Sequence, residues 1–494
     1  MRLASLASLL FASFTGKLVY AVASIAALPL VAKMLGAESV GLVGFFNTLL
    51  MVLMVLEGGL TSSIIQRLAK VKHDAAWLRA ERSVHAMLGT YLVTFLVLGC
   101  AVAVAVYCSA EVLVAKWLNL QEVSVDSAVH AVRCMAVFIG LNLPVMLLQA
   151  IFVGREKQHA LNILFIPYSL MRTLGVVGVI AIIPALARID YYFSIQVLVQ
   201  VLYVIGLLVV LVRLGLVGTG RLRFKYLLSG MAFSRGVFFV SLTSVFTMQY
   251  DKLYLSGALS LGDYAKYSLA ATIASFPYIF STALNSVLFP RFSKNFRAGD
   301  LSSIERVFRA AVVLIALLMT ILCSVVYWFG APLLNLVFEH ELAQGVADVL
   351  PVLMMGTALQ SLLIVPYALQ LAASWTSLSF RLNLVAIPLI AVMLPIGVAH
   401  YGALGGGYTW LIYNVLSLAA TVYFVCRRYP DLWHSFRFGV LVVLSVGAVV
   451  NVIFFTYHYW FTNSFLHLTI LSGGVGIFTL LGALFFRSHL SGLR

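Results

Sequence analysis

The sequence predicts an all-α fold, a polytopic membrane helical bundle of about fourteen transmembrane helices. Three observations carry that prediction. Of 494 residues, 62% are hydrophobic and only 10% are charged, with a mean hydropathy of +1.04, and no soluble fold needs so much apolar surface. Apolar windows long enough to cross a ~30 Å hydrocarbon layer recur along the whole chain. The cations, finally, collect in alternate gaps between those windows.

Taken in order, the windows fall at 11–32, 39–64, 84–108, 128–153, 162–184, 190–213, 236–258, 264–290, 307–330, 346–371, 381–399, 402–426, 438–460 and 464–486. The first resembles a secretory signal, since Ala21, Val22 and Ala23 look like a cleavage site. Lys17 interrupts its apolar run, however, and many spans follow. An uncleaved first span preceded by a short interfacial helix is therefore expected. Odd-numbered gaps hold only Lys33, Lys116 and Arg188 as cations, beside acids that run from Glu38 to Asp348. Even-numbered gaps carry the basic groups Arg67–Arg82, Arg155 with Lys157, Arg213–Arg235, Arg291–Arg309, Arg381 and Arg427–Arg437. This asymmetry places the even gaps and both termini in the cytoplasm. It also accounts for the net charge of +15 without nucleic acid.

An internal repeat is visible. MLGAESVGLVGFF (Met34–Phe46) and SLGDYAKYSLAAT (Ser260–Thr272) both set Leu-Gly and an acid between two apolar helices. They are six spans apart, and each second helix leads to a basic loop. Parallel repeats of this kind are a transporter signature, with the substrate held between the halves.

Ionisable side chains inside spans cost at least ~3 kcal/mol and so face a partner or a water-filled cavity. In Ser244–Pro290, two apolar helices joined by the turn Leu259–Asp263 carry Asp251, Lys252 and Lys266. Ser244, Thr247, Asp251 and Tyr254 share one helical stripe. A polar interior explains the pattern, and so does a local Asp–Lys pair that neutralises itself. Lys17 lies on a polar stripe with Ser13, Tyr20 and Ser24, and either snorkels to the interface or faces substrate. Arg172 sits near the middle of the fifth span, too deep to snorkel. Arg133 and His130 lie near the outer end of the fourth, as interfacial anchors or ligand contacts. Glu57, beside Gly58 and Gly59, is a counter-charge for Lys17 or Arg172, or an ion-coupling group. Lys17, Arg133, Arg172, Lys252 and Lys266 outnumber Glu57 and Asp251, and surplus interior positive charge suits an anionic substrate such as a pyrophosphate headgroup.

Enzyme signatures are missing. The chain has no phosphate-binding G-x-x-x-x-G-K-[ST] loop and no large external loop for glycosyl transfer. Its five cysteines show neither disulfide nor metal-ligand spacing, so no cofactor or metal is implied.

LPLVAKMLGAESVGLVGFFNTLL followed by EGGLTSSIIQRLAK (Glu57–Lys70) resembles the opening of Wzx-type polysaccharide flippases. MRTLGVVGVI (Met171–Ile180), MQYDKLYLSGALSLGDYAKYSLA (Met248–Ala270) and LFPRFSK (Leu288–Lys294) resemble that family too. The resemblance covers most of spans 1–8, and the last spans match only in hydropathy. Wzx proteins belong to the MOP superfamily of multidrug, oligosaccharidyl-lipid and polysaccharide exporters. The resemblance implies two six-helix lobes around a central cavity, here 1–230 and 231–430, with a C-terminal helix pair in 431–494. It implies alternating access that moves an undecaprenyl-pyrophosphate-linked glycan, such as an O-antigen repeat unit, across the bacterial inner membrane. The bilayer, a polysaccharide polymerase and other assembly proteins are the partners expected. Lys17, Arg133, Arg172, Lys252 and Lys266 are then substrate-binding candidates, and Glu57 and Asp251 ion-coupling or charge-pairing ones. The final pair is similar to fourteen-span lipid II flippases, which stand as the alternative. A MATE-like drug exporter and a polytopic glycan polymerase or ligase are more distant ones.

Overall fold

The computed structural model describes residues 3–57, 59–71, 77–215, 223, 225–375 and 377–460. These form two compact units that divide between Ser268 and Leu269. The first contains α1 (Leu3–Leu35), α2 (Ala37–Met54), α3 (Leu60–Val71), α4 (Trp77–Lys116), α5 (Val125–Gly154), α6 (Gln158–Leu170), α7 (Val176–Ile182), α8 (Ile189–Arg213), α9 (Lys225–Ala258) and the first half of α10 (Leu261–Ser275). The second continues with α11 (Tyr278–Ala298), α12 (Leu301–Asn335), α13 (His340–Ala372), α14 (Ser377–Tyr401), α15 (Ala403–Arg428) and α16 (Leu432–Trp460).

Twelve stretches among the described residues are long and apolar enough to cross a membrane. They correspond to twelve of the fourteen expected windows. The window at 236–258 falls in α9, whose side chains are described only in part, and that at 464–486 lies outside the described residues.

The helices depart from the expected windows where the backbone forces a break. The second window stops at Glu57, because Gly59 takes a φ of +74° that L side chains rarely adopt. The separate helix α3 follows, with Ile64 and Leu68 buried on one face. The eighth window divides into α10 and α11 around Pro277, whose ring and missing N–H interrupt a helix. The fifth contains a π-helical turn, Met171–Gly175, between α6 and α7. No separate interfacial helix precedes the first span, since α1 is continuous.

In the first unit the core is aromatic. Phe46 of α2 packs edge-on against Phe138 of α5 and Phe193 of α8, with centroids 5.1 and 5.4 Å apart. In the second, Phe292, Phe308, Val365, Leu369 and Val425 form a buried cluster that joins α11, α12, α13 and α15. The outward faces remain apolar, as Val97 and Val104 on α4 and Leu198 and Leu202 on α8 illustrate.

One loop ties the two repeat-related turns of the first unit together. The Glu38 carboxylate is 3% exposed and accepts the backbone N–H groups of Gln121, Glu122 and Val123 at 2.6, 2.8 and 2.7 Å. Two residues before that nest, Asn119 meets the turn between α9 and α10. Its carbonyl accepts the Leu261 N–H at 3.0 Å, and its side-chain amide donates to the Gly257 and Leu259 carbonyls at 3.3 and 3.1 Å. The indole of Trp117 donates to the Ser256 hydroxyl at 3.0 Å. Both turns therefore lie at the same end of the first unit.

Candidate functional site

Most of the charged groups singled out by the sequence meet a partner of opposite charge or a polar group nearby. Arg133 pairs with Glu111 at 2.7 Å, with side chains 36% and 73% exposed, and lies over the Tyr107 ring. Lys266 reaches Asp263 at 3.0 Å, one helical turn away. Asp251 accepts the Tyr267 hydroxyl at 2.6 Å and lies 3.3 Å from the Lys252 ammonium, which also donates to the Met248 carbonyl. That is the geometry of the self-neutralising alternative. His130 contacts the Ser194 hydroxyl at 3.3 Å. Glu57 accepts the Thr61 N–H at 3.3 Å and so serves the start of α3. Lys17 belongs to α1, but its side chain lies outside the described residues.

Arg172 differs from all of these. It sits in the π-helical turn, 9% exposed, and among the described residues no carboxylate pairs with it. Its guanidinium lies over three rings instead, 4.5 Å from the centre of Phe138, 5.6 Å from Phe46 and 5.7 Å from Tyr20. Cations over aromatic faces gain ~0.5–2 kcal/mol. A π-helical turn widens the backbone and re-aims its side chains, and such turns occur often at functional sites. Gly175 closes this turn, and a Cβ there would come within 3.1 Å of the flexible Met171 sulfur.

Around this cation is a set of polar and aromatic residues that sequence reasoning missed. The Tyr168 hydroxyl donates to Oε1 of Gln200, and its ring stacks on Tyr203 at 3.9 Å. Gln149 donates to the Tyr203 hydroxyl at 3.0 Å. Gln196 and Gln200 are 4% and 0% exposed, one turn apart on α8. Among the described residues, Oε1 of Gln196 and Nε2 of Gln200 have no hydrogen-bond partner. The signal available in the sequence was this pair of amides at i and i+4 in an otherwise apolar span. The arrangement offers a positive charge, a free donor and a free acceptor inside a helical bundle. It holds no nucleophile-and-base pair. What it provides chemically is electrostatic attraction for an anion.

A family model described as polysaccharide biosynthesis protein matches residues 7–296. The chain belongs to that family. The matched region coincides with the stretch that resembles Wzx-type flippases. A second model, MatE, matches residues 237–396. No curated protein matches the chain in sequence. Among solved structures, the lipid II flippase MurJ in an inward closed conformation superposes with a TM-score of 0.73 at 13% identity, over 97% of this chain and 98% of that one. An inward-facing multidrug resistance MATE family transporter of the MOP superfamily gives 0.68 at 13% identity, over 85% and 95%. A MOP superfamily transporter from Pyrococcus furiosus, whose binding pocket is described as having reverse polarity, gives 0.58 at 13% identity, over 87% and 96%. These likenesses show a fold shared with MurJ and with MATE family transporters. The protein is thus a multi-pass helical membrane protein of the polysaccharide biosynthesis family.

Proposed function

We propose that this protein is a flippase that carries an undecaprenyl-pyrophosphate-linked oligosaccharide, an O-antigen or related polysaccharide repeat unit, across the bacterial inner membrane by alternating access. The observation that carries this reading is Arg172, a buried guanidinium with aromatic contacts and no carboxylate partner. Such a group attracts the anionic part of a lipid-linked glycan without any bond being made or broken. Family membership over residues 7–296 supplies the glycan context. Lys17 serves as a further cation along the path, Arg133, Lys252 and Lys266 do so where their pairs with Glu111, Asp251 and Asp263 open, and Glu57 and Asp251 balance charge as the path opens and closes. Both termini and the basic loops face the cytoplasm. A polymerase and other assembly proteins receive the exported unit.

Alternating access also requires that some contacts hold while others release. The Glu38 carboxylate accepts three short bonds to backbone N–H groups, and bonds to a charged group are the stronger kind. The bonds made by Asn119 and Trp117 are neutral, at 3.0–3.3 Å. The turn between α9 and α10 is therefore the side that lets go.

A second reading, translocation of lipid II, is favoured by the match to MurJ over 97% of this chain. Reconstitution separates the two. Purified protein in proteoliposomes should move undecaprenyl-pyrophosphate oligosaccharide to the opposite leaflet well above the protein-free rate and leave lipid II in place. Movement of lipid II alone assigns the second reading, and movement of neither overturns both.

A further inference from the structure

The second unit contains an open cleft of about 530 Å³, distant in sequence from Arg172. Its lining includes Phe289, Ser293, Phe296 and Arg297 from α11, Ser374 from the turn after α13, and Tyr429 from the end of α15. The polar part of that lining is one guanidinium and three hydroxyls, and no carboxylate or amide lines the cleft. A guanidinium with surrounding hydroxyls is complementary to a group that carries several acceptor oxygens and negative charge.

Among the described residues, no carboxylate pairs with Arg297. Asp300 accepts the hydroxyls of Ser302 and Ser303 and the Ser303 N–H, and Glu305 pairs with Arg309. Asp431 is exposed and lies outside the lining. Among the described residues, Arg297 bonds only the Ser293 carbonyl, through Nε at 3.4 Å. A second guanidinium, Arg428, lies beside the cleft over the Trp375 ring at 4.6 Å and the Tyr429 ring at 5.8 Å.

The other part of the cleft is apolar and adjoins stretches of α11 and α13 that are long and apolar enough to span a membrane. Phe289 is one turn before Ser293 on α11. Tyr367 is one turn before the lining residue Leu371 on α13. They are 42% and 37% exposed, and both belong to membrane-spanning stretches. A phosphate ion alone would leave this aromatic wall unused, whereas an amphiphile uses both parts. Basic pockets between transmembrane helices on the cytoplasmic side are a recurrent setting for anionic lipid headgroups.

We propose that this cleft binds the phosphate headgroup of a lipid, with the phosphate against Arg297 and the hydroxyls of Ser293, Ser374 and Tyr429, and the hydrocarbon against Phe289 and Tyr367. The phosphate chemistry is shared by anionic phospholipids and by an isoprenoid pyrophosphate. Arg297 and Arg428 also complement the C-terminal ends of α11 and α15. That role needs no cleft and would not select among lipids.

The test is native mass spectrometry of the full-length protein with dioleoyl phosphatidylglycerol, with phosphatidylcholine of the same chains, and with undecaprenyl pyrophosphate. Phosphatidylglycerol adducts should exceed phosphatidylcholine adducts. They should fall about tenfold in Arg297→Gln, the change expected from losing one charge-assisted hydrogen bond. Arg297→Lys should retain part of the binding, and Arg213→Gln, in an exposed position of the first unit, all of it. Undecaprenyl pyrophosphate that displaces phosphatidylglycerol with the same Arg297 dependence identifies the isoprenoid source, and failure to displace it identifies phospholipid. Equal adducts for both phospholipids, full binding by folded Arg297→Gln, or a thermal shift with inorganic phosphate as large as that with phosphatidylglycerol would overturn the proposal.

Discussion

A guanidinium at 9% exposure has to be compensated, and around Arg172 aromatic rings do this in place of a carboxylate. Burying an ion costs several kcal/mol even after relaxation. Contacts to the three ring faces offset part of that at ~0.5–2 kcal/mol each. Asp251 shows the opposite solution, since its bonds to Tyr267 and Lys252 leave little demand for an outside partner. Glu57, a counter-charge candidate by sequence, accepts the Thr61 N–H at the start of α3. The Arg172→Ala and Glu57→Gln substitutions should accordingly be additive. A double-mutant cycle on thermal stability of the purified protein should give a coupling below about 0.5 kcal/mol, as for independent sites. A coupling of several times that size would show that the two groups are a pair.

Helix contacts in the first unit depend on the missing side chains of two glycines on α2. A Cβ on Gly41 would lie 2.4 Å from the Leu261 carbonyl oxygen, and one on Gly44 would lie 2.1 Å from the Ser268 hydroxyl. Small residues allow such close backbone approach between membrane helices. Gly41→Ala sets two effects against each other. Helix propensity favours alanine by ~1 kcal/mol, while overpacking against a fixed backbone atom costs ~1–3 kcal/mol. The clash should win by roughly 1 kcal/mol, and Gly262→Ala, which meets nothing within 4 Å, should be neutral or stabilising. Unfolding of both variants in mixed micelles checks the order. At this scale the sequence was readable where hydropathy alone decides, so the long spans fall in their windows. The breaks at Gly59 and Pro277 are single-residue backbone events inside apolar runs. The bonds of Asn119 to the turn between α9 and α10 join residues about 140 positions apart, and no local pattern reports them.

Across the whole molecule, fold class and family were legible because composition, loop charge and the Wzx-like stretches agree with one another. The compact units divide at Ser268 and Leu269, inside α10, whereas the lobes were expected to divide at 230 and 231. Packing of α10 on α2 through Gly41 and Gly44 draws its first half into the first unit. The site was legible only in part. Arg172 stood out by its depth in an apolar span. The ring cage and the amides of Gln196 and Gln200 arise from five helices that meet in space. The most direct test of the account is surface glycan in cells whose only copy of this protein carries Arg172→Lys, Arg172→Ala or Arg172→Glu. At equal membrane levels, lysine should retain part of the export, since it keeps the charge but not the two-pronged donor. Alanine and glutamate should lose most of it. Losing a charge-assisted contact is worth about 1.5–3 kcal/mol, or one to two orders of magnitude in affinity. Wild-type glycan export by a well-expressed Arg172→Ala protein would contradict the account.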